Sequence, residues 1–219
     1  MDEQVKAKPK LDVAKEPILH LLVPGEMGAV LELTVKDKRG KVTDHRVMRS
    51  KSFVRQFLEL LWIQAFQIPE VAPYSMKDTS NTLQDICEGA YTFAANAGLG
   101  ATTFGIIVGT GTTAPTIDDY ALETLIAHGT GAGQLEYSAV TFGAPASDAT
   151  TSQFTITRDF ANASGGSITV NEIALYAKGS RGGYANVWYF MIIRDVIAGG
   201  ISVPNGQTIT VNYREQAVV

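Results

Sequence analysis

The sequence is poor in residues that staple or chelate. Cys87 is its one cysteine, so no disulfide can form within the chain, and with no second Cys and no neighbouring His it reads as a small buried apolar residue rather than an activated thiolate. A chain of 219 residues can bury a sizeable core without such staples, and folding in a reducing compartment is the simpler expectation. The three histidines, His20, His45 and His128, are scattered, and none has a ligand-type residue at the spacings a zinc site uses. No run of about 18 apolar residues is present, which excludes a hydropathy-defined transmembrane helix, and the opening MDEQVKAKPK mixes both charges without an apolar region, unlike a secretory signal. No membrane association is expected.

Nucleotide signatures are also missing. The strand-like residues 102–108 run into GTGTTAP, yet no third glycine at dinucleotide spacing and no Lys-Ser or Lys-Thr ending follows. The loop therefore reads as a rigid corner, not a phosphate cradle. Residues 118–123, DDYALE, are expected to form one helical turn with its acids at the start, where the helix dipole favours them. Asp118, Asp119 and Glu123 could offer oxygens to calcium, but their spacing fits no calcium loop. No catalytic, cofactor-binding or metal-binding residue is assigned.

Charge is uneven. Residues 1–60 hold 12 of the 18 Lys and Arg against 9 acids, whereas the remainder holds 6 against 13. The basic residues of the first stretch alternate with acids and lack interleaved aromatics, so nucleic-acid binding is not expected. Residues 1–17 read as an extended arm, and residues 18–68 as an attachment module. That module comprises an extended segment at 18–23, a Pro24-Gly25 turn, a hairpin of strands at 29–35 and 42–48, and a helix over 50–66 capped by Ser50 or Ser52, with Arg55 and Glu59 paired at i,i+4. The helix is apolar on more than one face and must be covered from two sides. Residues 69–88, with two prolines, read as a connector.

From residue 89 onward strand signals dominate. Strands are expected at 90–94, 102–108, 135–142, 152–160, 167–177, 184–194 and 207–215, with turns at 144–148, 162–166 and 203–206. In the last strand Ile209, Val211 and Tyr213 share a face; in 152–160, Phe154 and Ile156 alternate with Thr155 and Thr157. Long strands without intervening helices predict a mainly β chain, an antiparallel β-sandwich of jelly-roll-like or immunoglobulin-like type over 89–219, with an N-terminal arm, a hairpin and one amphipathic helix. Phe53, Phe57, Leu61, Trp62 and Phe66 of the helix, and Trp188 and Tyr189 in the aromatic cluster that Tyr184 opens, are candidate interface residues. The default for the cluster is core packing, and a face of it left exposed could stack a sugar ring or pack a partner subunit.

The combination of FGIIVGTGTTAP (104–115), DYALE (119–123), FTITRDF (154–160), VNEIALY (170–176), IRDV (193–196), VPNG (203–206) and TITV (208–211), with RSKSFVRQFL at 49–58, resembles a group of tailed-bacteriophage virion proteins. The resemblance spans most of residues 30–214, and its motifs are turns and strand cores, which mark a fold rather than a chemistry. It implies a non-enzymatic structural subunit in the virion, made in the host cytoplasm, whose partners are copies of itself and other virion proteins in the head, neck or tail. The alternative is a host-surface module that binds a glycan.

Overall fold

The computed structural model describes residues 20–50, 53–89, 93–181 and 186–219. In chain order the elements are β1 (Met27–Lys36), β2 (Val42–Ser50), α1 (Arg55–Phe66), β3 (Tyr74–Lys77), β4 (Leu83–Ile86), β5 (Gly105–Gly109), β6 (Glu136–Tyr137), β7 (Thr141–Phe142), β8 (Ala146–Ser147), β9 (Thr151–Ala161), β10 (Ile168–Arg181), β11 (Asn186–Val203) and β12 (Thr208–Val218). The protein is mainly β, with antiparallel sheets in a sandwich-like arrangement and one helix among the described residues.

The larger sheet runs β2-β1-β12-β9-β6, and the short β7 and β8 also pair with β9. The smaller sheet runs β11-β10-β5. One core joins them. Leu31, Leu33, Ile209, Val211, Tyr213 and Phe160 from the larger sheet meet Ile106, Ile173, Met191 and Ile193 from the smaller, all fully buried. Every residue of β5 is buried, as suits a β-branched run covered on both faces. The Tyr213 hydroxyl donates across the gap to the Ile173 carbonyl (3.3 Å) and to Asp195 Oδ2 (3.0 Å), so burying the ring leaves no polar atom stranded.

Several expectations are corrected. The hairpin β1–β2 is no separate attachment module, because β1 pairs with β12 over ten residues in the middle of the larger sheet. The expected connector carries its own hairpin, β3–β4, closed by Asp78, whose Oδ1 accepts from the Ser80 and Thr82 amides. Residues 20–23 form no strand. The expected strand at 135–142 is split into β6 and β7, and the expected turn at 144–148 contains β8. The helix starts later than expected, since 50 belongs to β2 and Phe53 bridges to Ile193. Ser50 is buried and donates to Asp195 Oδ2 (2.7 Å) instead of capping, and the N-cap, Val54, has no side-chain bond. The direct ion pair of Arg55 is with Asp118, while Glu59 accepts from the Tyr74 hydroxyl and meets Arg55 only at longer range. The arm at 1–17, Ser52, much of the expected strand at 90–94, and Tyr184 lie outside the described residues.

Two glycines in β11 show how a long strand bends. Gly199 and Gly200 hold φ of 74° and 58°, and between Val170 and Glu172 the β10–β11 register shifts. A Cβ on Gly200 would lie 2.2 Å from Asn171 Oδ1, so a larger residue is excluded twice over.

Candidate functional site

The loop after β5 is the feature whose sequence most invites a ligand, and its geometry uses up its own donors. Glu172, fully buried on β10, accepts hydrogen bonds from the amides of Gly111 (3.0 Å), Thr124 (2.8 Å) and Glu123 (3.1 Å). Glu123 Oε2 accepts from the Thr112 and Thr113 amides, both at 2.9 Å. The amides that could have cradled a phosphate already hold carboxylates of the same chain. Arg194, buried on β11, closes the arrangement by donating from Nε to Glu172 Oε2 (3.0 Å) and from Nη1 to Asp119 Oδ2 (2.7 Å). Residues 118–123 form no helical turn. Asp119 instead accepts from the Thr116 amide (3.0 Å) and hydroxyl (2.7 Å). Although burial opposes it, the bonds from Thr116 and Arg194 hold the Asp119 carboxyl below its ordinary range.

A second buried cation fixes the neighbouring segment. Arg158 on β9 is fully buried, and its guanidinium donates to the carbonyls of Ser138 (2.8 Å), Ile106 (2.9 Å), Gly98 (3.1 Å) and Ala101 (2.7 Å), with its face over the Tyr137 ring. Burial pulls its pKa down to about 10. It remains a cation, and its fork is a structural staple for three segments.

The histidines are also engaged. His128 Nδ1 accepts from the Tyr137 amide (3.0 Å), while His45 meets Glu32 (3.1 Å) and His20 meets Asp148 (3.2 Å). Among the described residues no group of three or more His, Cys, Asp or Glu could hold a metal ion, and no helix is long and apolar enough to cross a membrane.

Two apolar features remain. One is the outward face of α1. Gln56, Leu60 and Ile63 turn inward, with Leu60 packed near Gly179 and Phe190. On the other side Leu58 (63% exposed), Leu61, Trp62, Ala65 and Phe66 (69%) fall at i, i+3, i+4, i+7 and i+8, a complete second apolar stripe. Trp62 packs edge-on against Tyr74 and lies 5.7 Å from Phe66, so the stripe continues onto β3.

The other feature is a cleft of about 460 Å³ where the sandwich opens at one end. Register places Phe154, Glu215 and Ala29 side by side across β9, β12 and β1, with Ser152, Ala217 and Met27 in the next row outward. Facing them are Phe53, Phe57, Phe93, Leu175 and Ile192, and Phe142 flanks the opening. Phe53 and Phe57 are in edge contact at 4.5 Å, and Phe57 and Phe93 at 5.9 Å. Glu215 is the acid in this apolar setting. The residue is partly exposed as a whole, but its Oε1 is buried and has no hydrogen-bond partner. Burial first, and the charge of Asp195 second, push its pKa up to about 8.

No protein-family profile, curated protein or solved structure matches this chain. What it does must be argued from its own surfaces.

The candidate interface residues separate into three places. Leu61, Trp62 and Phe66 share the outward stripe, whereas Phe53 and Phe57 line the cleft. Trp188 packs partly buried on the core, opposite Gly179, and Tyr189 stacks on Phe104 at 5.8 Å, away from both. Sequence reasoning missed Glu215 and Phe154 as cleft residues. Extending the alternation Ile209, Val211, Tyr213 by one more step would have placed Glu215 on the inner face.

Proposed function

We propose that this chain is a non-enzymatic structural subunit of a bacteriophage particle, assembling with copies of itself and with other virion proteins through the outward face of α1. The observation that carries the reading is the stripe of Leu58, Leu61, Trp62, Ala65 and Phe66, which a folded subunit leaves uncovered at helical spacing. A contiguous exposed apolar patch of this kind marks a protein contact, and aromatic anchors such as Trp62 dominate the energetics of such contacts. The chain's motif resemblance to tailed-phage virion proteins supports the same reading. So does the use of its most ligand-like loop for internal hydrogen bonds. Symmetric repetition in a particle multiplies contacts that are individually weak.

Mass measured by light scattering across a concentration series, together with peptide mapping of purified particles, tests the proposal. Assembly beyond the monomer, abolished by Leu61→Asp with Trp62→Asp, and presence in particles are expected. A monomer at all concentrations that is also missing from particles would overturn it.

A further inference from the structure

We propose that the cleft between the two sheets is a binding site for a small primary amine with an aromatic or branched aliphatic body, held by Glu215 as its counter-ion. The walls set the body of the ligand. Phe53, Phe57 and Phe154 with Met27 and Ile192 enclose a volume of about 460 Å³, within the usual range of small-molecule pockets. The concave shape distinguishes it from the convex helix stripe, which suits a protein surface.

The polar end is set by what Glu215 lacks. Its buried Oε1 has no donor, and an unmade bond at a buried carboxyl oxygen is unfavourable. The groups facing it do not supply one. From β12 the Tyr213 hydroxyl, and from β2 the Ser50 hydroxyl, both donate to Asp195 Oδ2. From β11 comes Asp195 itself, whose charge repels a second anion. On the same sheet face β1 and β9 flank Glu215 with Ala29 and Phe154, and Phe53 and Phe57 face it from the helix side. A ligand carrying N–H donors and a positive charge pairs with the Glu215 carboxyl where it lines the cleft, is attracted by Asp195 as well, and gains from the Phe faces. A carboxylate or phosphate ligand would be repelled by Asp195 and, once Glu215 ionises, by Glu215 as well.

Because burial and Asp195 hold Glu215 largely protonated at neutral pH, ammonium entry is coupled to release of one proton: the neutral carboxyl and the free ammonium give the carboxylate–ammonium pair and a proton in solution. Binding therefore strengthens as pH rises.

The test is calorimetric titration of the full chain with 2-phenylethylamine and, as a neutral probe with the same body, 2-phenylethanol. An amine of ordinary basicity stays protonated over pH 6–8, so the affinity for 2-phenylethylamine is expected to rise about fiftyfold across that range, following the ionised fraction of a group that titrates at about 8. At pH 8 it should exceed that for 2-phenylethanol at least about tenfold, and Glu215→Gln should erase both the preference and the pH dependence. Phe154→Lys places a tethered ammonium at the cleft mouth and should block the amine while the fold, read by thermal unfolding, persists. No binding of the amine to the wild-type chain, equal binding of amine and alcohol, or amine binding unchanged in a folded Glu215→Gln or Phe154→Lys variant would each overturn the proposal.

Discussion

Glu172 on β10 and Arg194 on β11 form a buried diagonal pair, Nε to Oε2 at 3.0 Å, and from it hang both arms of the loop at 109–124. The pair has two tasks, neutralising charge in the core and ordering backbone. Removing Arg194 leaves Glu172 buried without a counter-ion, at a cost of about 3–5 kcal/mol, whereas removing Glu172 leaves Arg194 paired with Asp119 but strips the acceptor from the Gly111, Glu123 and Thr124 amides. Arg194→Met is expected to lose that much in chemical denaturation. Arg194→Met with Glu172→Leu should lose less than the two single changes together, because Glu172 no longer remains as a buried charge without its counter-ion.

The same loop explains its glycines. A Cβ at Gly111 would stand 2.5 Å from both Glu172 Oε1 and Glu123 Cβ, and one at Gly109 would stand 2.5 Å from the Thr124 carbonyl. Gly111→Ala should destabilise by about 1–3 kcal/mol, the usual cost of overpacking. Gly98→Ala, where a Cβ meets nothing within 4 Å, serves as the control and should be near neutral in thermal unfolding.

The two faces of α1 should respond in opposite ways. Leu60→Ala empties a fully buried position and is expected to cost about 2–5 kcal/mol. Trp62→Ala should change stability of the isolated chain by less than about 1 kcal/mol, since the residue is 41% exposed and, among the described residues, its ring contacts are with Phe66 and Tyr74. Its effect belongs in light scattering, as loss of assembly.

Stability should depend on pH through Glu215. Its folded pKa is raised to about 8, so the folded state binds a proton that the unfolded chain has released above its ordinary range near 4.5. Stability is then full below about 4.5, falls as pH rises, and levels off above about 8, with a limiting slope of about 1.4 kcal/mol per pH unit. Denaturation at pH 5 and pH 8 should show the wild-type chain losing stability relative to Glu215→Gln. Glu32 acts in the opposite sense. It accepts from Arg214, Asn212 and His45, which hold its pKa down against burial, so its contribution is present at neutral pH and disappears as pH falls through the acid range.

The fold class and the last four long strands were legible because alternation and β-branched runs carry them directly. β9 shows the limit of that reasoning. Phe154 and Ile156 do share a face, as expected, but Phe154 is 39% exposed at the cleft mouth while Thr155 and Gln153 on the opposite face are buried in a polar cluster with Arg214 and Gln216. Hydrophobicity alone does not report a buried polar network. Nor does local spacing report long-range partners: Asp119 and Glu123 looked like helix-start acids, yet Arg194 and the loop amides, distant or structurally unpredictable, decide what they do. The helix start was displaced for the same reason, since Ser50 finds Asp195 145 residues away. The cleft was the least legible feature, because its walls come from β1, β9, β11, β12 and the approach to α1 and meet only in the folded sheet pair.

The placement of β12 between β1 and β9 has a consequence for biosynthesis. Met27 pairs with Ala217, and Thr34 with Thr210, so the centre of the larger sheet cannot zip until residues 208–218 have left the ribosome. Pairing over such separations is slow. A nascent chain stalled before that strand would hold the β1–β2 hairpin with an open, strongly apolar edge, a template for pairing with its neighbours on the same polysome.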